Sequence, residues 1–161
     1  MKDVFLEFIL ISRHINEKFN VIPVLYGSLG LQVLTNIDLN PQDIDILVPQ
    51  KYICEEWKSF KASIEELGYE FRDLDEHDFK KEGRKIAFSF EEDLEEFVNI
   101  DYNNLKIHQY NGVLYKLLNL EEYLKVYSKS LEDGYRREKN NSKDKEKIEL
   151  IKDLLHTSNN Y

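Results

Sequence analysis

Apolar residues recur at Val4, Phe8, Ile11, Ile15 and Phe19 in steps of three and four, so residues 3 to 19 read as an amphipathic helix laying one stripe on a core. The run from about 22 to 27 reads as a strand. Pro23 has no amide hydrogen to give and belongs at its start or on an edge. Residues 29 to 34 make a short helix, 35 to 42 a polar loop with Asn36, Asp38, Asn40 and Pro41, and 43 to 48 a second strand. The helical pattern returns over 51 to 67 through Ile53, Trp57, Phe60 and Ile64, with Gly68 placed to end it.

Residues 69 to 74 and 85 to 90 read as strands joined by the charged connection 75 to 84. The second alternates Ile86, Phe88 and Phe90 against Ala87, Ser89 and Glu91. Asn111-Gly112 suits the positive backbone angles of a tight turn, so 105 to 110 and 113 to 118 form a hairpin. Asn119 with Glu122 reads as a capping pair that opens a helix running to about Arg136, with Tyr123, Val126, Tyr127 and Leu131 on one face. Residues 138 to 147 read as a charged break. A last helix is marked by Ile148, Ile151, Leu154 and Leu155, before a frayed tail from Thr157. The order is helix, strand, helix, strand, helix, then mostly antiparallel strands, then two helices.

Within this pattern the chemistry concentrates at Val24-Leu25-Tyr26-Gly27-Ser28-Leu29-Gly30 and at Asp43-Ile44-Asp45. Gly27 lets the backbone turn sharply and approach a ligand. Ser28 brings a hydroxyl and an amide to a helix N-terminus, where orphan N–H groups attract phosphate oxygens. Residues two apart on a strand share a face, so Asp43 and Asp45 project together and repel unless a cation lies between them. Hard oxygen ligands beside a phosphate cradle point to Mg²⁺, with Mn²⁺ as a substitute. Taken singly, a Gly-Ser after a strand is a turn and an Asp-x-Asp is a solvated strand end. In this order, joined by a helix that returns the second strand beside the first, they point to a metal-triphosphate pocket.

Composition narrows the partners. The chain has 161 residues, 42% of them hydrophobic, enough for one core and one domain with a helical appendage. A formal net charge of −9 argues against binding along a nucleic acid, stays compatible with an anionic ligand held through a metal, and favours a cationic acceptor. No apolar run is long enough to span a membrane. The opening Met1-Lys2-Asp3 leads into charged, periodic sequence rather than a signal peptide's apolar stretch, so a cytoplasmic location is expected. The single cysteine, Cys54, excludes an internal disulfide and a cysteine metal cluster, and reads as a small helix residue.

On Gly27-Ser28 and Asp43-Ile44-Asp45 the chain resembles the nucleotidyltransferase superfamily with the DNA polymerase β type of palm, especially its small bacterial minimal and antibiotic-modifying members. The resemblance covers roughly residues 20 to 118. It implies an α+β fold with a mixed sheet, helices on one face of it and a C-terminal helical appendage. We therefore take residues 1–118 as the nucleotidyltransferase-like domain and 119–161 as the appendage, packed on the same core. It also implies transfer of a nucleoside monophosphate from ATP or another NTP to a hydroxyl. Asp43 and Asp45 would hold Mg²⁺, and Gly27 and Ser28 would seat the β and γ phosphates. Family members carry a third carboxylate on a later antiparallel strand, and here Ala87 and Ser89 hold the central positions. Glu91, on their face, is the expected third catalytic carboxylate, followed by Glu92 and Asp101.

Other residues read more plainly. His14, His77, His108 and His156 lack metal-ligand spacing, with His77 the best of them for a catalytic role. Arg136, Arg137 and Lys143 could reach phosphate from the appendage, but a charged helix end is the preferred reading. Tyr115, Tyr123 and Tyr127 either line an acceptor pocket or pack in the core, and Asp73, Asp75, Glu76 and Asp78 form an exposed acidic loop able to steer a cationic acceptor. Three functions stand: a nucleotidyltransferase acting on a small molecule or protein, a catalytically degenerate nucleotide-binding module, and an interaction protein of the toxin–antitoxin kind. The last leaves a protein partner or a homodimer open.

Overall fold

A computed structural model describes residues 2–132 and 134–159, with side chains for 4–132 and 143–157. Helix α1 (Lys2–Phe19) leads through β1 (Val24–Tyr26) and α2 (Gly27–Thr35) into β2 (Ile44–Val48). A single 3-10 turn at Gln50–Tyr52 precedes α3 (Trp57–Glu65). Three strands follow, β3 (Glu70–Asp73), β4 (Asp78–Lys81) and β5 (Arg84–Phe90), then the short α4 (Asp93–Val98) and the hairpin of β6 (Lys106–Tyr110) and β7 (Val113–Leu117). Helices α5 (Leu120–Glu132) and α6 (Gly134–Asn159) end the chain.

The strands form one seven-stranded mixed sheet in the order β3-β4-β5-β2-β1-β7-β6. β1 and β2 run antiparallel, and each has a parallel neighbour on its outer side, β7 and β5 respectively. On one face Ile44, Ile46, Phe79, Ile86 and Phe88 pack against α1 and α3 through Phe8, Ile11, Ile15, Phe60 and Ile64. On the other, Val24 and Leu47 meet Leu94 of α4, Tyr123 and Val126 of α5 and Ile151 of α6. The alternation along β2 produces both cores: Ile44 and Ile46 turn to the first, while Asp45 and Leu47 turn to the second. The α+β architecture expected from the sequence is therefore present, with the C-terminal helices on the face that carries Asp45.

Local chemistry explains several boundaries. Asn119 and Glu122 cap α5 reciprocally: the Asn119 amide donates to Glu122 Oε1 at 2.9 Å, and the Glu122 amide donates to Asn119 Oδ1 at 2.8 Å. The β6–β7 turn takes φ of 48° at Asn111 and 82° at Gly112, the left-handed angles its sequence favours.

Three expectations are corrected. The charged connection 75 to 84 contains the strand β4. The stretch 138 to 147 is helical rather than a break, because Lys and Glu are strong helix formers even without an apolar stripe. Cys54 is exposed in the turn before α3 rather than inside a helix.

Candidate active site

The sharp end of β1 builds the first wall. Tyr26 is still extended when Gly27 opens α2 at φ 67°. Tyr26 makes no side-chain capping bond, and no acidic residue stands in the first turn. The first turn of α2 thus carries no acidic side chain of its own and opens on the cavity that Asp45 borders, a helix N-terminus of the kind that receives phosphate. Asp45 is the register partner of Tyr26, which puts its side chain beside that turn. A Cβ built on Gly27 would lie 2.5 Å from Asp45 Oδ2, so glycine is required here for its backbone angle and for the carboxylate lying against it.

Gly30, one turn on, has a different task. A side chain there would run into the Tyr123 hydroxyl, which donates a 3.0 Å hydrogen bond to the Leu25 carbonyl. That contact anchors α5 to β1, the strand that leads into Gly27. Burial pushes the Tyr123 phenol well above its ordinary pKa, so the group stays a neutral donor.

Gly27, Ser28, Asp43 and Asp45 line one cavity of about 580 Å³, and the opposite wall is α6, through Lys143, Asp144, Glu146 and Lys147. The Lys147 ammonium lies 5.6 Å from the centre of the Tyr127 ring, which lines the same cavity. Two carboxylates beside a helix N-terminus form a donor set of hard oxygens suited to Mg²⁺ or Mn²⁺, and the missing Cβ at Gly27 leaves room for Asp45 to approach.

Asp45 also borders a second cavity, of about 480 Å³, shared with His77, Lys85, Ala87, Ser89 and Asp93. Register explains this grouping. Asp45 pairs with Ala87, and Ala87 pairs with Asp78, so Asp45, Ala87 and Asp78 form one row on one face of three adjacent strands. Lys85 stands two residues before Ala87 on that face. Its Nζ is 2.9 Å from Glu76 Oε2 and 3.8 Å from Asp78 Oδ2. The hydrogen bond to Glu76 and the nearby carboxylates of Asp78 and Asp43 hold the Lys85 ammonium above the usual lysine range. Asp73, Glu76 and Asp78 bring one carboxylate oxygen each within 4.8 Å of one another, an acidic cluster able to hold a cation.

Glu91 is not brought to Asp43 and Asp45. The parallel pairing matches Val48 with Phe90, so the alternation through Ala87 and Ser89 carries Glu91 to the far end of β5, roughly 13 Å along the strand direction from Ala87. There it is buried at 8% exposure. Desolvation raises its pKa, and Lys116 offsets this in part. The alternates have structural tasks: Glu92 accepts from the Gln50 amide at 3.0 Å, and Asp101 accepts from the Asn103 amide at 3.0 Å to cap a 3-10 turn.

Asp78, expected in an exposed loop, is 7% exposed on β4. Among the tyrosines, Tyr127 lines the first cavity, Tyr123 is core, and Tyr115 stacks on His108 on the opposite face of the sheet. His77 lines the second cavity with its ring edge-on to Trp57 at 5.0 Å. His14 sits beside Glu66, and His156 is exposed on α6. The side chains of Arg136 and Arg137 lie outside the described residues. Lys85, Asp93, Asp144, Glu146 and Lys147 are charged site-lining residues that the sequence reading missed, since they reach their cavities by strand register or helix packing rather than by a local motif.

The sheet and the helices on its two faces make a nucleotidyltransferase-like fold. In solved structures the chain is similar to the antibiotic-resistance factor ANT(2'')-Ia, with a TM-score of 0.52 over 96% of this chain and 91% of that one, at 13% identity. No family model matches. The chain belongs to the family of the uncharacterized protein YnaI of Bacillus subtilis (strain 168), with which it is 48% identical over 149 residues, 92% of this chain and 96% of that protein. No helix among the described residues is long and apolar enough to cross a membrane.

Proposed function

We propose that the chain is a divalent-metal-dependent nucleotidyltransferase that moves a nucleoside monophosphate from an NTP, ATP foremost, to a hydroxyl of a small molecule or protein. The observation that carries this reading is the single cavity lined by Gly27, Ser28, Asp43 and Asp45. A helix N-terminus and two carboxylates, one just before β2 and one on it, suit a triphosphate and its ion only when they share a space. Asp43 and Asp45 would hold Mg²⁺, which when bound neutralises triphosphate charge and polarises the phosphorus under attack.

The chain's own residues do the positioning. The first amides of α2 and the Ser28 hydroxyl seat the β and γ phosphates, and α6 closes the cavity with Lys143 and Lys147 interspersed with Asp144 and Glu146. The acceptor oxygen bonds to the α-phosphorus as the bond from that phosphorus to the β-phosphate oxygen breaks. Pyrophosphate leaves with the electron pair, and the hydroxyl proton passes to water. With Glu76 paired to Lys85, the Asp45, Asp75 and Asp93 carboxylates leave the second cavity negative on balance, which supports a cationic acceptor.

The test is metal-dependent binding of a non-hydrolysable ATP analogue. Asp43→Asn with Asp45→Asn removes that binding and leaves the circular-dichroism spectrum unchanged; a double variant that still binds overturns the reading. Ala87, standing where register faces Asp45, favours a second reading in which nucleotide is bound without transfer. Pyrophosphate release on adding acceptor hydroxyls decides against it.

A further inference from the structure

The row Asp45, Ala87, Asp78 has a methyl group at its centre, where no metal ligand is possible, and a lysine beside it. We propose that Lys85 supplies, as a side-chain ammonium, the positive charge of the acceptor side of the site, held by Glu76 and Asp78 as positioning residues, so that the chain takes one divalent ion rather than two. This rests on the nucleotidyltransferase reading of Asp43 and Asp45.

Three observations lead here. Lys85 shares the wall of the second cavity with Asp45 and Ala87, so its ammonium and the Asp45 carboxylate border one space. Asp78 is 7% exposed and its Oδ1 is buried without a hydrogen-bond partner, a state that a carboxylate sustains only with a cation close by. Lys85 Nζ is 3.8 Å from the other oxygen and is fixed by its 2.9 Å bond to Glu76. The acidic cluster of Asp73, Glu76 and Asp78 thus already carries a cation of its own, and its spacing of carboxylate oxygens becomes a lysine seat.

The consequence is a division of charge. Asp43 and Asp45 keep one metal on the triphosphate. Lys85 faces the acceptor, retains its protons throughout, and stabilises the negative charge that develops as the acceptor oxygen attacks; the hydroxyl proton goes to water, as in the transfer above. An ammonium does this without demanding ligands from β5, which explains why alanine is tolerated at the centre of the row.

Counting Mn²⁺ per bound nucleotide, by electron paramagnetic resonance with α,β-methylene-ATP, tests this without any acceptor. The wild type binds about one ion per nucleotide. Lys85→Ala empties the seat between Glu76 and Asp78 and binds about two, while Lys85→Arg stays near one. Two ions in the wild type, or no additional ion in Lys85→Ala, overturn the proposal while the reading of Asp43 and Asp45 stands. No nucleotide-dependent Mn²⁺ in the wild type overturns that reading, and this proposal with it.

Discussion

Replacing Gly27 by alanine perturbs the site through two separable effects. The backbone there has φ 67°, a left-handed conformation that costs a residue with a Cβ about 1–2 kcal/mol. For a chain of this size that lowers Tm by roughly 2–8 °C. The second effect is local: the new methyl would stand 2.5 Å from Asp45 Oδ2, so the carboxylate retreats until the contact reaches the ordinary 3.4 Å. A metal ligand displaced by close to 1 Å no longer meets the narrow distances Mg²⁺ demands. The expected loss in metal-dependent nucleotide affinity is about a hundredfold, or about 2.8 kcal/mol.

Gly112→Ala supplies the control. Gly112 has φ 82° and nothing within 4 Å of its built Cβ, so it carries the backbone penalty alone. Thermal melts and nucleotide titrations on both variants separate the two effects. Similar falls in Tm with a loss of binding confined to Gly27→Ala support the argument. Equal nucleotide affinity in the two variants refutes it, because the carboxylate would then not depend on the missing side chain.

The remaining predictions address residues around the site. Glu91→Gln preserves nucleotide binding and raises Tm at pH 8 but not at pH 4. Burial raises the Glu91 pKa in the fold, so its favourable contribution is present below the unfolded value near 4.5 and is lost as pH rises through the folded one; a melt unchanged at pH 8, or a loss of nucleotide, contradicts this. Tyr123→Phe removes the hydrogen bond to the Leu25 carbonyl and destabilises by about 1–2 kcal/mol in chemical denaturation. It leaves the Mn²⁺ count unchanged, because its hydroxyl ties α5 down without entering the cavity.

Much of the site was legible because its first half is local. A strand, Gly27-Ser28, a helix, a polar loop and an alternating Asp43-Ile44-Asp45 can all be read from neighbours in sequence, as can the Asn119–Glu122 cap and the Asn111-Gly112 turn. The rest depends on pairing between distant strands. Glu91 follows Ala87 and Ser89 in the period of two, yet β5 runs parallel to β2 and carries its end away from Asp43. β4 was hidden because Phe79 is its only apolar residue in a charged stretch. Its register against Ala87 is what sets Asp78 in a row with Asp45. The charged first half of α6 lacks an apolar stripe, so its role as the wall opposite Gly27 could not be read from periodicity.

The central claim, that Asp43 and Asp45 hold a metal against a triphosphate seated on α2, is tested most directly by anomalous diffraction from crystals grown with Mn²⁺ and α,β-methylene-ATP. The account predicts a Mn²⁺ peak in contact with carboxylate oxygens of both Asp43 and Asp45, with the phosphates at the amides of Gly27 and Ser28. A peak on Asp73, Glu76 and Asp78 instead, or nucleotide bound away from α2, would contradict it.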